Sequence, residues 1–383
     1  MQKAVKQRIL FTALSIVVAF FFSEYILRLV GYTPLNRHTI DTNNLITFKP
    51  NKSFIAKDRC YTSILRTNSL GFHSENYPLT KPEKTFRIAV VGDSFVESSQ
   101  VPVEQTFFHL LEKKLNDSST GIHFEVIGIG KSGHGAILNT LFTREYALQY
   151  QPDLVIGTFI TNDPEEDVRD SEKFKALQTG ERYSFESLQI PKQNLNKKVE
   201  FVKDYILEES HLLERWLMNF LVIKNNLEKK EISSLANINE QKSSLVTEIL
   251  VHPTSTTSQE AWKKEELALN TFHDFVTEKN TKFLLVHLAE GFLIEPELQK
   301  ELDGYSPTEK FYERAPLEHL QSIAAKNNFA FFQHKIIYKR STTVQKFYQF
   351  SLVINTLMPQ AMNGWPKPFL NISKHRHFCH KIE

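Results

Sequence analysis

Three short segments carry residue types that can do chemistry together. Gly92-Asp93-Ser94-Phe95 ends the apolar run Arg87-Ile88-Ala89-Val90-Val91. A serine in the turn after a buried parallel strand is placed as a nucleophile, because ligands bind at the carboxyl edge of such sheets. Gly130-Lys131-Ser132-Gly133-His134-Gly135 follows a second apolar run, and its glycines let backbone N–H groups approach a ligand closely. Thr161-Asn162-Asp163 follows a third, where an Asn amide can donate to a developing negative charge. Each segment alone also reads as an ordinary turn. A serine, a backbone N–H and an Asn side chain on three strand ends are together what an oxyanion site for acyl transfer requires.

The elements that must position these groups form one α/β pattern. Apolar runs at 87–92, 124–129, 153–160, 282–288 and 329–332 read as buried parallel strands. Between them, Phe107, Leu110, Leu111 and Leu115 recur at helical spacing, and helical patterns run from Leu138 to Tyr150 and from Gln259 to Glu278. This alternation predicts a parallel sheet covered on both faces. The domain is expected over 86–350, after a lead-in at 32–85 and before an atypical tail at 351–383. From about 164 to 253 the chain turns polar and rich in Lys, Glu and Asn, with an amphipathic helix around His211 to Leu227. It reads as an insertion, either a lid or a solvated helical elaboration.

At the N-terminus, residues 9–31 are apolar enough to span a bilayer core of ~20 helical residues, and Glu24 and Arg28 can pair four apart near the distal end. Lys3, Lys6 and Arg8 within residues 1–8 place that end in the cytoplasm and the bulk of the chain across the membrane. The rival reading is a cleaved signal peptide, but no small-x-small site follows Phe22, which favours a single-pass anchor. The 46 Lys+Arg nearly balance the 44 Asp+Glu, so composition does not point to nucleic acid as a partner. Two cysteines, Cys60 and Cys379, exclude a disulfide framework and a cysteine zinc site.

Gly92-Asp93-Ser94-Phe95, Gly133 after Ser132, and Asn162-Asp163 resemble, in order and spacing, the first three blocks of the SGNH, or GDSL-type, hydrolases. Asn68-Ser69-Leu70-Gly71-Phe72 and Phe86-Arg87-Ile88 are similar to the lead-in of the membrane-anchored bacterial members. The resemblance implies a flavodoxin-like three-layer α/β/α fold. It also implies Ser94 as nucleophile, with the N–H groups of Ser94 and Gly133 and the Asn162 side chain as oxyanion donors. No cofactor or metal is implied. The implied partners are an acylated substrate, such as a surface glycan or lipid, and the membrane. Ile160 stands where the family often has a Gly, and His123 and His134 match no catalytic position of the family.

The fourth block departs. The family's base is a His near the C-terminus, with an Asp just before it that orients the ring. The tail has His375, His377 and His380, yet no acid lies between Glu318 and Glu383 and no Asp follows Asp303. Codons from Val353 onward, read from their third base, permit Asp-Lys-His-Leu-Asn-Ala and then a Gly turn and an Ala-rich helix. The expectation is therefore a frame-shifted tail, tested by resequencing the gene. The alternative is a catalytically impaired SGNH-fold protein serving as a binding or assembly module, or as a truncated remnant.

Overall fold

The computed structural model describes residues 2–29, 37–41, 45–57, 61–117, 121–173, 178–179, 182–183, 245–288, 312 and 314–333. The described residues divide into two compact units with a boundary at Lys49/Pro50. In the first, helix α1 (Gln2–Leu29) carries a 23-residue stretch, Val5–Leu27, that is long and apolar enough to cross a membrane, a property shared with signal sequences. Its Ile9, Phe11, Ile16 and Phe21 side chains point outward. Thr12, Ser15 and Ser23 donate their hydroxyls to carbonyls four residues back, which satisfies these three groups within the helix. Strands β1 (His38–Ile40) and β2 (Ile46–Phe48) form a short antiparallel hairpin, with His38 stacked on Phe48.

The second unit is an α/β fold around a five-stranded parallel sheet. Hairpin β3 (Ser53–Lys57) and β4 (Thr62–Arg66) precedes it. Next come β5 (Thr85–Gly92), α2 (Ser94–Glu97), α3 (Phe107–Asn116), β6 (His123–Gly130), α4 (Ala136–Glu145), β7 (Leu154–Phe159) and α5 (Asp163–Lys173). After two-residue strands β8 (Gln178–Thr179) and β9 (Arg182–Tyr183) come α6 (Leu245–Val251), α7 (Thr256–Glu278), β10 (Lys282–His287), α8 (Ala315–Asn327) and β11 (Ala330–Gln333). The sheet order is β11-β10-β7-β5-β6, with every pair parallel. Counted along the chain this is 2-1-3-4-5, the flavodoxin-like order, whose direction of winding reverses between β5 and β7.

Helices cover both faces. Ile88, Val90, Leu154, Ile156, Leu284 and Val286 share one apolar cluster with Phe107, Phe108, Leu111 and Leu115 of α3. The next residue along β7 faces the other way: a Cβ on Gly157 would touch Phe272 of α7. Helices α4, α5 and α8 all pack against α7, on that second face.

At the amino ends of the strands, the buried Arg87 ties β5 to Glu125 of β6 and to the carbonyls of Pro78, Leu79 and Tyr150. The lead-in is also fixed. Asn68 Oδ1 accepts the N–H groups of Leu70 and Phe72, both at 3.0 Å, around Gly71 at φ 81°. Phe72 then packs edge-on against Phe142 and Tyr146, and Ser74 Oγ accepts Gly128 N–H of β6.

The five strands and the helices at 107–116, 136–145 and 256–278 lie where the hydrophobic pattern placed them. Residues 163–173, at the start of the polar stretch read as a helical insertion, form α5 and pack against α4 and α7. The helix expected at His211 to Leu227 and the whole tail from residue 334, including His375, His377, His380 and the 351–383 segment, lie outside the described residues.

Candidate active site

Ser94 is the first residue of α2, one residue beyond the turn that ends β5. Asp93 caps the short helix, its Oδ1 accepting Phe95 N–H at 3.0 Å, while its Oδ2 accepts the Ser94 hydroxyl at 3.0 Å. Asp93 is 2% exposed and burial pushes its carboxyl up to about 6, against the hydrogen bonds that favour its charge. Phe95 is 41% exposed, an apolar surface next to the serine.

Glu97, on the same short helix, fastens it to the loop after β6. Its buried Oε2 accepts Lys131 Nζ at 3.0 Å and Ser132 N–H at 2.9 Å. The chain then turns at Gly133, whose φ of 81° is the left-handed region that a glycine adopts without a Cβ penalty. Arg169 of α5 donates to Gly133 O at 2.9 Å.

Glu166 joins the second strand end to the third. Its Oε1 accepts Asn162 Nδ2 at 2.8 Å, and the same oxygen lies 3.9 Å from where a Cβ on Gly133 would sit. Asn162 thus spends one of its two amide hydrogens on Glu166. Glu97 ties the β5 end to the loop after β6, and Glu166 lies beside both Gly133 and Asn162, so the ends of β5, β6 and β7 are linked.

Carboxyl groups crowd this region. Burial, reinforced by Asp93, pushes Glu166 up to about 8; burial also raises Asp167 to about 7, and holds Asp163 and Glu265 well above the usual carboxylate range. A folded pKa raised above the unfolded value of ~4 means that the folded state keeps protons the unfolded chain has released. Stability from these groups is therefore full below pH ~4 and lost as pH rises through the folded values. The melting temperature is expected to be higher at pH 5 than at pH 8, the reverse of acid-labile proteins; calorimetry across that range measures it, and a flat or opposite trend contradicts the assignment. Among the described residues no group of His, Cys, Asp and Glu is arranged to hold a metal ion.

The structure puts Ser94, Gly133 and Asn162 on three strand ends at the point where the winding reverses. His134 stacks edge-on against Phe142 with a centroid distance of 4.4 Å, and His123 opens β6 at the opposite end of the sheet. Sequence reasoning did not pick out Glu97, Glu166, Asp167 or Glu265.

No protein-family model matches the chain, and no curated protein matches it by sequence. Among solved structures it is similar to Axe2, an acetylxylan esterase from Geobacillus stearothermophilus, at 11% identity over 75% of this chain and 97% of that chain, with a TM-score of 0.33. A mutant of Axe2, described as an acetyl-xylooligosaccharide esterase, matches at 9% identity over the same shares, with a TM-score of 0.34. A mutant of the esterase AlinE4 matches at 12% identity over 75% of this chain and 100% of that chain, with a TM-score of 0.28.

Proposed function

We propose that the chain is a membrane-anchored SGNH-type serine hydrolase that acts on ester bonds as an esterase, deacetylase or acyl transferase. The observation that carries this reading is the convergence of Ser94, Gly133 and Asn162 at the switch point of a 2-1-3-4-5 parallel sheet, with Glu97 and Glu166 bridging the three strand ends. Ser94 Oγ attacks the acyl carbonyl, forming the Oγ–C bond as the carbonyl electrons move onto oxygen. The N–H groups of Ser94 and Gly133 and the second amide hydrogen of Asn162 receive that oxyanion. Collapse expels the alcohol, which takes up the serine proton by way of a base, and water or a second hydroxyl then releases the acyl group. Asp93 already accepts the Ser94 hydroxyl, and the family's base is the His of the Asp-x-His block that the shifted reading of the tail permits. Helix α1 is the anchor in this reading, and Lys3, Lys6 and Arg8 at its amino end favour the extracytoplasmic side for the catalytic domain. An acylated surface glycan or lipid is the substrate class on family analogy.

The acid-free stretch after Glu318 favours one second reading, an SGNH-fold binding or assembly protein without a working base. Hydrolysis of p-nitrophenyl acetate by the detergent-solubilised full chain decides between them. Turnover that disappears in Ser94→Ala supports the hydrolase, whereas equal rates in both proteins support the second reading.

A further inference from the structure

Asp167 of α5 and Glu265 of α7 are both fully buried, and they meet beside the first turn of α4. Asp167 Oδ2 accepts Ala136 N–H at 3.1 Å and Oδ1 accepts Ile137 N–H at 3.0 Å. These are two of the four N–H groups that a helix leaves without partners at its start. Helix α4 begins directly after Gly133-His134-Gly135, so Asp167 fixes the end of the turn that carries the Gly133 N–H. The approach is close enough to dictate Gly135: a Cβ there would lie 2.4 Å from Asp167 Oδ1 and 3.0 Å from Asp163 O.

The Glu265 carboxyl lies against that of Asp167, yet no N–H or O–H donor among the described residues reaches either Glu265 oxygen. Two carboxylates offer only acceptors, so this contact requires a proton between them. We propose that a single proton shared by Asp167 and Glu265 locks α5, α7 and the first turn of α4 together, making Glu265 a positioning residue for Gly133 and Asn162 whose deprotonation sets the upper pH limit of the site. The proposal rests on Gly133 and Asn162 being the oxyanion donors.

The surroundings agree. The α4 N–H groups favour negative charge on Asp167, which leaves the proton on Glu265. From α5, the groups bearing on the pair are Asp163, Glu166 and Asp170, all acidic. Arg169 of the same helix is engaged by Asp170 and Gly133 O, and Glu165 is turned to Val246 N–H of α6. On α7 the next residue, Glu266, pairs with Lys326 of α8, and on α4 Arg144 and Glu145 pair with each other at the helix's far end. Among the described residues neither Asp167 nor Glu265 forms an ion pair with a base, and the charged groups that act on the pair are acids, which oppose a second negative charge there.

The test uses the full chain in detergent as wild type, Glu265→Gln and Glu265→Leu. Three quantities are followed from pH 6 to 9: melting temperature, amide hydrogen exchange of the 130–139 peptide corrected for intrinsic rate, and Ser94-dependent ester hydrolysis. A glutamine amide donates to Asp167 at every pH. Glu265→Gln should therefore flatten the fall in melting temperature, suppress the alkaline rise in exchange, and move the alkaline limb of kcat up by about one pH unit or more. Glu265→Leu fills the volume without donating and should lower kcat about tenfold at all pH with KM little changed. If wild type and Glu265→Gln share the same pH dependence of exchange and melting, the proposal is overturned, whether or not the Leu variant folds. If exchange and melting behave as expected while no protein shows Ser94-dependent hydrolysis, the proton lock stands and the esterase reading falls.

Discussion

Arg87→Ala is expected to destabilise the second unit by about 3–5 kcal/mol, the penalty for removing one partner of a buried ion pair. Arg87 is fully buried, and its guanidinium holds Glu125, itself 4% exposed, together with the carbonyls of Pro78, Leu79 and Tyr150 at 2.6–2.9 Å. The alanine leaves the buried Glu125 carboxylate without its cation and three carbonyls without their donor; Tyr150 is fully buried, whereas Pro78 and Leu79 are exposed and water can replace the donor there. The double variant Arg87→Met, Glu125→Leu separates these contributions. It removes both charges, so the ion-pair penalty should largely vanish. The Tyr150 carbonyl remains, at a cost of about 1–3 kcal/mol when buried and unsatisfied, so recovery should be incomplete. Urea midpoints of the three proteins measure this. Full recovery in the double variant would mean that the Tyr150 carbonyl contributes nothing, and a loss below about 1 kcal/mol in Arg87→Ala would mean that the hub is not structural.

The strands around this hub were legible because residues such as Ile88 to Val91 are buried on both faces, which writes an unbroken apolar run into the sequence. The positions of Ser94, Gly133 and Asn162 after strand ends were legible because turn residues stand at the ends of those runs. The carboxyl cluster was not. Asp163-Pro164-Glu165-Glu166-Asp167 looks like a solvated charge run, since sequence records the presence of acids and not their burial. Two weak signals did exist. Asp163, Asp167 and Asp170 recur at i, i+4 and i+7, one face of a helix, and all three are buried. Glu265 falls in the stripe Ala261, Trp262, Glu265, Ala268, Leu269, Phe272, where helical spacing calls for an apolar residue. An acid on an apolar stripe opposite an acidic helix face is the pattern a buried carboxyl pair leaves in a sequence.

Gly130→Ala should be the most damaging single methyl in the site, and three glycines isolate the reason. At Gly130, where β6 ends beside α2, an added Cβ would lie 2.1 Å from Glu97 N and 2.3 Å from Val96 C, both backbone atoms. Backbone cannot rotate aside as a side chain does, so α2 itself must move, and α2 begins at Ser94. Overpacking of this kind costs about 1–3 kcal/mol, and a displacement of ~1 Å at a reacting group can cost ~100-fold in rate. The expectation is a kcat about 100-fold lower with a much smaller change in KM. Gly133→Ala tests a different cost: its φ of 81° strains any L side chain by about 1–2 kcal/mol, yet the nearest atom, Glu166 Oε1, is 3.9 Å away, so no backbone is displaced. Gly121→Ala has the positive φ with nothing within 4 Å and lies far from the site, so it should lower stability by a similar amount and leave kcat unchanged. Steady-state kinetics and urea midpoints on the three variants order them. If Gly130→Ala behaves like Gly121→Ala, the close approach of β6 to α2 does not hold Ser94 in place, and the positioning of the nucleophile must come from Asp93 and Glu97 alone.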